Sequence, residues 1–194
     1  MAVDERNAET TAPRRRSDVL DEPAAPGPGR FTGPATGPER PLLAGFLADQ
    51  RATLELKCAG LEEELALRSA EPSTLSLLGL VRHLADVERH WFREVLAGED
   101  VRPLFSSPDS PDGDFEDATA GPGAVEEAWE AWRAAVAHSD RFTAEAPDLD
   151  VTGEDEWRGR VSLRWVLVHM IEEYARHNGH ADLLRERIDG TRGL

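Results

Sequence analysis

The chain has 194 residues, a formal net charge of -16 and a pI near 4.7, which fits one domain whose core can stand without disulfides. So acidic a surface excludes a nucleic-acid binder, which needs a basic face against phosphate, and excludes docking on an anionic membrane. Cys58 is the single cysteine, so a reducing cytoplasm is the expected setting, and no apolar run reaches the ~18 residues that a membrane-spanning helix requires.

Residues 1–37 are expected to form a disordered tail. They combine prolines and glycines (Pro23, Pro26, Gly27, Pro28, Gly29, Gly33, Pro34, Gly37) with scattered charge and too few large apolar side chains to offset the entropy of ordering. Arg14, Arg15 and Arg16 open like a twin-arginine signal, but Ser17–Pro23 supplies no apolar segment behind them, so an export signal is rejected. The folded domain is expected over residues 38–194.

Four segments carry a helical period. The first is predicted from Pro41 to Arg68, where Leu43, Phe46, Leu47, Leu54, Leu61 and Leu65 recur at three-, four- and seven-residue steps. Cys58 within it reads as a small buried hydrophobe. The second is predicted from Thr74 to Ala97, with Gly98 as its stop. Residues 99–123, rich in Pro, Gly, Asp and Ser, read as a crossover between helix pairs. The third helix is predicted from Ala124 to Ala144 with Val125, Trp129, Trp132 and Val136 on one stripe. A loop with at most a short irregular strand follows to Val161. The fourth helix starts behind Ser162 as N-cap and runs to Ile188. Four amphipathic helices and no convincing strand predict an all-α four-helix bundle. Trp91, Trp129, Trp132 and Trp165 then belong to the core or its edge.

The fourth helix places His169, Glu173 and His177 at i, i+4 and i+8, stacked along one side. Its apolar stripe runs through Leu163, Val166, Leu167, Met170, Tyr174, Ala181 and Leu184. Glu173 and His177 border that stripe, while His169 and His180 lie further round. His169 and His177 are two turns apart, about 12 Å along the axis, too far to share one small ion. A carboxylate and an imidazole one turn apart can share a metal ion, with a third ligand from another helix. The second helix offers His83 and His90, and its stripe through Leu77, Leu80, Leu84, Val87 and Trp91 favours His83 only weakly. Asp86 and Glu88 read as surface or helix-pair charges.

Two runs in these helices carry a further signal: Leu77-Leu78-Gly79-Leu80-Val81-Arg82-His83-Leu84 with Glu88 and Trp91-Phe92, and His169-Met170 with Glu173 and Ala175-Arg176-His177-Asn178-Gly179-His180-Ala181-Asp182-Leu183-Leu184-Arg185. From Pro41 onward the chain resembles the DinB-like metalloprotein superfamily, in the subgroup sometimes called mini-circle proteins. The resemblance implies a four-helix bundle with one metal ion, bound by one ligand from the second helix and two from the fourth. Many members use three histidines. Here Glu173 stands four residues before the last ligand position, taken by His177, and a His/Glu/His set is similar to that of the mycothiol-dependent maleylpyruvate isomerase branch. The ligands implied are His83, Glu173 and His177, with His169 and His180 outside the set. No counterpart of that isomerase's additional C-terminal domain is expected.

The function that the resemblance implies is a metal-dependent transferase or isomerase using a low-molecular-weight thiol, with zinc the expected ion, nickel or another divalent ion the alternative, and mycothiol the expected co-substrate. A metal-dependent hydrolase and a non-catalytic metal-binding bundle are the competing readings. The expected partner is a small-molecule substrate or thiol, and the bundle also permits a homodimer.

Overall fold

The computed structural model describes residues 32–58, 60, 63–119 and 121–191. Most of the expected tail, residues 1–31, lies outside the described residues, as does Leu61. The part of the tail that is described is not detached from the bundle. Gly33 crosses Gly45 so closely that a Cβ on Gly33 would stand 3.0 Å from the Gly45 Cα, and one on Gly45 would stand 3.2 Å from the Gly33 Cα.

The first long helix, α1, spans Glu39–Cys58 and buries Leu47, Arg51, Leu54, Lys57 and Cys58 at helical spacing. It stops ten residues short of the expected Arg68. Gly60 adopts a left-handed φ of 70°, a conformation that ends a helix and suits a residue without Cβ. A four-residue helix α2 follows at Glu63–Ala66. Cys58 is therefore buried, as expected, but at the end of α1 and not its middle.

The second long helix, α3, spans Leu77–Arg89. Ser76, two residues beyond the expected start, caps it by accepting a 3.1 Å hydrogen bond from the Gly79 amide. The helix continues without a break into a π-helical segment, His90–Leu96, and Gly98 ends it at φ 64°. The connector beyond is tied down by Asp86, whose carboxylate accepts from the amides of Leu104, Phe105 and Ser106 at 2.6, 3.0 and 3.0 Å. Within the connector, α4 spans Gly113–Glu116.

The third long helix, α5, spans Ala124–Glu145 and buries Trp129 and Trp132. Where a loop with room for a short irregular strand or turn over residues 151–160 was expected, the chain forms a regular antiparallel hairpin, β1 (Thr152–Asp155) with β2 (Gly159–Ser162), in the register Thr152↔Ser162 to Asp155↔Gly159. Composition hides it because β1 is Thr-Gly-Glu-Asp, residues with little strand preference apart from Thr152. Gly153 serves close approach instead: a Cβ there would stand 1.9 Å from the Val95 carbonyl oxygen, so only glycine lets the hairpin lie on the π-helical segment. The last helix, α6, spans Leu163–Ile188 and is capped as expected by Ser162, which accepts from the Trp165 amide at 3.2 Å.

The four long helices form the expected all-α bundle, with α1 against α6, α3 against α5, and α3 crossing to α6. Its core joins Leu47, Leu54, Leu80, Leu84, Phe92, Trp132, Leu167 and Met170, and no helix of the described residues is long and apolar enough to cross a membrane. Inside that core sits a polar knot around Glu88, which is fully buried and serves as a charge paired between helices, the second of its two expected readings. Arg51 of α1 donates to it twice, at 2.7 and 2.8 Å, Ser139 of α5 donates at 2.5 Å and Tyr174 of α6 at 2.9 Å. Trp132 donates to the Tyr174 hydroxyl at 2.7 Å. The other three long helices thus each contribute a partner to one carboxylate of α3. Asp86 is likewise buried, because its charge satisfies backbone donors and not water.

Candidate metal centre

His83 lies on α3 one turn after Gly79, and Gly79 decides what reaches it. A Cβ at that position would meet the Phe115 ring at 3.1 Å, so the bare backbone allows α4 to seat against α3. Two contacts to His83 follow. The Phe115 ring stacks on the imidazole with centroids 4.7 Å apart and planes 28° apart, and the Asp114 carboxylate lies 2.7 Å from His83 Nδ1. With an acceptor-only carboxylate on one side, Nδ1 carries a proton and donates, so in the neutral ring it is the Nε2 lone pair that faces α6.

On α6, Glu173 and His177 occupy successive turns on the side facing α3. Glu173 Oε2 stands 3.4 Å from His177 Nε2 and 4.0 Å from His83 Nε2, and one donor atom from each of the three residues lies within 4.8 Å of the others. Ligands about 2.1 Å from a tetrahedral zinc ion stand about 3.4 Å apart, so the spacing fits an ion between them. His177 is buried, and the side chains of Glu173 and His83 are 13% and 22% exposed, so the triad sits at the bundle's rim with one side accessible. Its other atoms are held as well. Arg176 donates to Glu173 Oε1 at 3.2 Å, and His180 Nδ1 approaches His177 Nδ1 at 3.4 Å, one of the pair donating to the other.

Proton energetics agree with a site built for positive charge. Burial works to lower the His83 pKa, but the Asp114 hydrogen bond and the nearby Glu173 carboxylate outweigh this and push it up to about 9. The imidazoles of His177 and then His83 beside it hold Glu173 well below the usual carboxylate range, against its burial. Without an ion, protons supply the cationic partner that this carboxylate collects.

The three residues singled out from the sequence are therefore brought together. His169 is not among them: its Nε2 stands 3.9 Å from Glu173 Oε1, the oxygen turned away from His83 and His177, and its ring stacks on Trp165 at 4.9 Å. Burial lowers its pKa, as it does for His180. His90 points elsewhere, to Glu94 and Asp155 of the hairpin at 3.0 and 3.2 Å. Cys58 takes no part, since burial pushes its thiol up to about 12, away from the reactive thiolate. Asp114 was missed. It lies in a connector without periodicity, and the only available signal was the general rule that a ligating histidine donates its second nitrogen to a carboxylate.

A family model described as mycothiol-S-transferase matches residues 42–190, the whole span from early α1 past the end of α6. No curated protein matches the chain.

Proposed function

The chain belongs to the mycothiol-S-transferase family, within the DinB-like superfamily, and from that premise we propose that it joins mycothiol through its sulfur to an electrophilic small molecule, the thiol losing its proton and the electrophile its leaving group, at a metal centre formed by His83, Glu173 and His177. The observation that supports this is the convergence of two imidazole nitrogens and one carboxylate oxygen, within 4.8 Å of one another, at an accessible rim. Two nitrogens and one oxygen suit zinc, and three protein ligands leave a position open, the arrangement of catalytic sites. When bound, the ion lowers the pKa of a thiol entering that position and so supplies the thiolate at neutral pH.

The chain's own residues do the rest. Asp114 fixes the tautomer and angle of His83, and Arg176 holds Glu173 Oε1 so that Oε2 faces inward. Phe115 covers the His83 ring and keeps water from that side. The folding unit is residues 38–194, with the Gly33 crossing as its outer attachment.

The test is metal analysis of the full chain purified without added metal, followed by mass spectrometry of its reaction with mycothiol and a haloalkyl electrophile. One equivalent of zinc and a mycothiol conjugate are expected. Glu173→Ala should lose both, whereas His169→Ala should keep the metal. Retention of metal by Glu173→Ala overturns the ligand set. A metal-loaded protein that cleaves esters or amides without thiol makes the site a hydrolase, and one that only melts at higher temperature makes it structural.

A further inference from the structure

The cleft between the π-helical segment and the hairpin has no part in the site above. It encloses about 370 Å³, with His90, Trp91, Glu94 and Val95 on one wall and the hairpin turn, Glu154 to Trp157, on the other. That volume lies within the about 300–1,000 Å³ of small-molecule sites. Its walls are fixed to each other. His90 bonds Glu94 through one ring nitrogen and Asp155 through the other, and the second Asp155 oxygen accepts from the amides of Trp157 and Arg158 at 3.2 and 2.6 Å.

Trp157 presents its indole to water at 82% exposure, with the Arg158 guanidinium 5.0 Å from its ring centre. An exposed indole beside a preformed cleft is a stacking platform that folding alone does not require. Trp91 leads back to the metal triad: its ring lies 5.0 Å from that of His169, whose Nε2 stands 3.9 Å from Glu173. The Trp91 indole and the His169 imidazole therefore lie between the cleft and Glu173.

We propose that this cleft seats the sugar–cyclitol end of mycothiol while the thiol end reaches the triad, an inference that rests on the reading above. Charge selects the ligand class. Glu94 is paired with His90 and Glu154 with Arg160, and with Glu156 these carboxylates keep acceptor capacity for hydroxyl groups while disfavouring carboxylates and phosphates. The indole of Trp157 offers a flat face to the C–H side of a saturated ring. Mycothiol is an uncharged polyol joined to N-acetylcysteine, which meets both conditions. Glutathione, a peptide thiol with two carboxylates and no saturated sugar ring, meets neither, so the cleft discriminates between thiols that the metal centre alone would treat alike.

The experiment has two arms. In the first, the thiol-free N-acetylglucosaminyl-inositol fragment is titrated by calorimetry into the full chain with and without zinc. Binding in both forms is expected, weakened at least tenfold by Trp157→Ala, an exposed position whose change leaves the helical circular dichroism intact. No binding, or binding indifferent to Trp157, overturns the cleft assignment even where thiol transfer holds. In the second arm, Trp157→Ala should raise KM for mycothiol at least tenfold relative to KM for N-acetylcysteinamide. An equal change for both thiols overturns the inference. A wild-type protein that binds the fragment yet turns over no thiol sinks the transferase reading and leaves the ligand class of the cleft standing.

Discussion

Glu88 and Glu173 both sit at inward positions of long helices, yet their surroundings oppose each other. Glu88 is sealed in the core and receives four hydrogen bonds from Arg51, Ser139 and Tyr174. Glu173 stands at the rim, with Oε2 facing two imidazole nitrogens at 3.4 and 4.0 Å, distances that exceed a good hydrogen bond and match two ligands on one ion. Adjacent residues of α6, Glu173 and Tyr174, thus serve the two carboxylate systems. A carboxylate whose donors are all supplied at close range is structural. One whose cationic partners stand apart around a gap has room for another cation.

The sharpest break between the two comes from deleting each. Glu88→Ala should cost about 3 kcal/mol, because the buried Arg51 loses both hydrogen bonds to Glu88 and keeps only the largely exposed Asp140, 2.7 Å away, as a carboxylate partner, and this is the largest stability loss expected in the chain. Urea unfolding of the metal-free protein measures it. Replacing both partners by apolar residues of similar size should recover most of the loss. Glu173→Ala in the same assay should cost far less, and equal losses would erase the distinction drawn here.

Asp114→Asn comes next, since it touches the metal side alone. The amide can turn its NH2 toward His83 and favour the wrong tautomer, so zinc affinity should fall about 10–100-fold, read by chelator competition. Metal-free stability should change little by comparison. An unchanged affinity would mean that Asp114 anchors the connector and does not support the ligand.

These two carboxylates also show what a sequence displays and what it hides. Glu173 and His177 were visible because α6 has an unbroken period and their neighbours mark its inner side. His83 needed the family resemblance, since the α3 stripe scarcely separated it from His90. Glu88 lies four residues after Leu84, on the buried side, but its charge argued for the surface. The partner that reconciles charge with burial, Arg51, is 37 residues away on another helix and has no local signature. Asp114 and the hairpin were hidden for a related reason: each is placed by a glycine, Gly79 or Gly153, whose meaning lies in what approaches it.

Proton competition gives a smaller, graded effect. His83 is raised from 6.5 to about 9 in the metal-free protein, so its contribution to stability is complete below pH 6.5 and is lost as pH rises through 9. Metal needs the neutral ring, so zinc affinity should run the opposite way, rising about tenfold per pH unit from 7 to 9. Competition titrations at pH 7, 8 and 9 measure this. A flat profile would remove His83 from the ligand set, while nothing comparable is expected of the Glu88 knot.

The smallest effect is expected at the amino end. Removing residues 1–31 should leave the melting temperature unchanged, whereas removal through Gly37 strips the Gly33 crossing from α1 and should lower it by a few degrees. Scanning calorimetry of the two truncations separates them. Equal values would place the domain boundary at 37.

The π-helical segment has one more consequence. Compared with an α-helix it fits an extra residue into a turn, and one residue of α-helix is about 100° of rotation. The second long helix therefore changes phase across His90–Leu96, beyond His83. Its first part is timed to present an imidazole to α6, and its second to present Glu94 and Val95 to the hairpin. Deleting a single residue between His90 and Leu96 would restore one uniform phase and swing everything downstream around the axis. The half that presents His83 to α6 would keep its direction, and the half against the hairpin would lose its own.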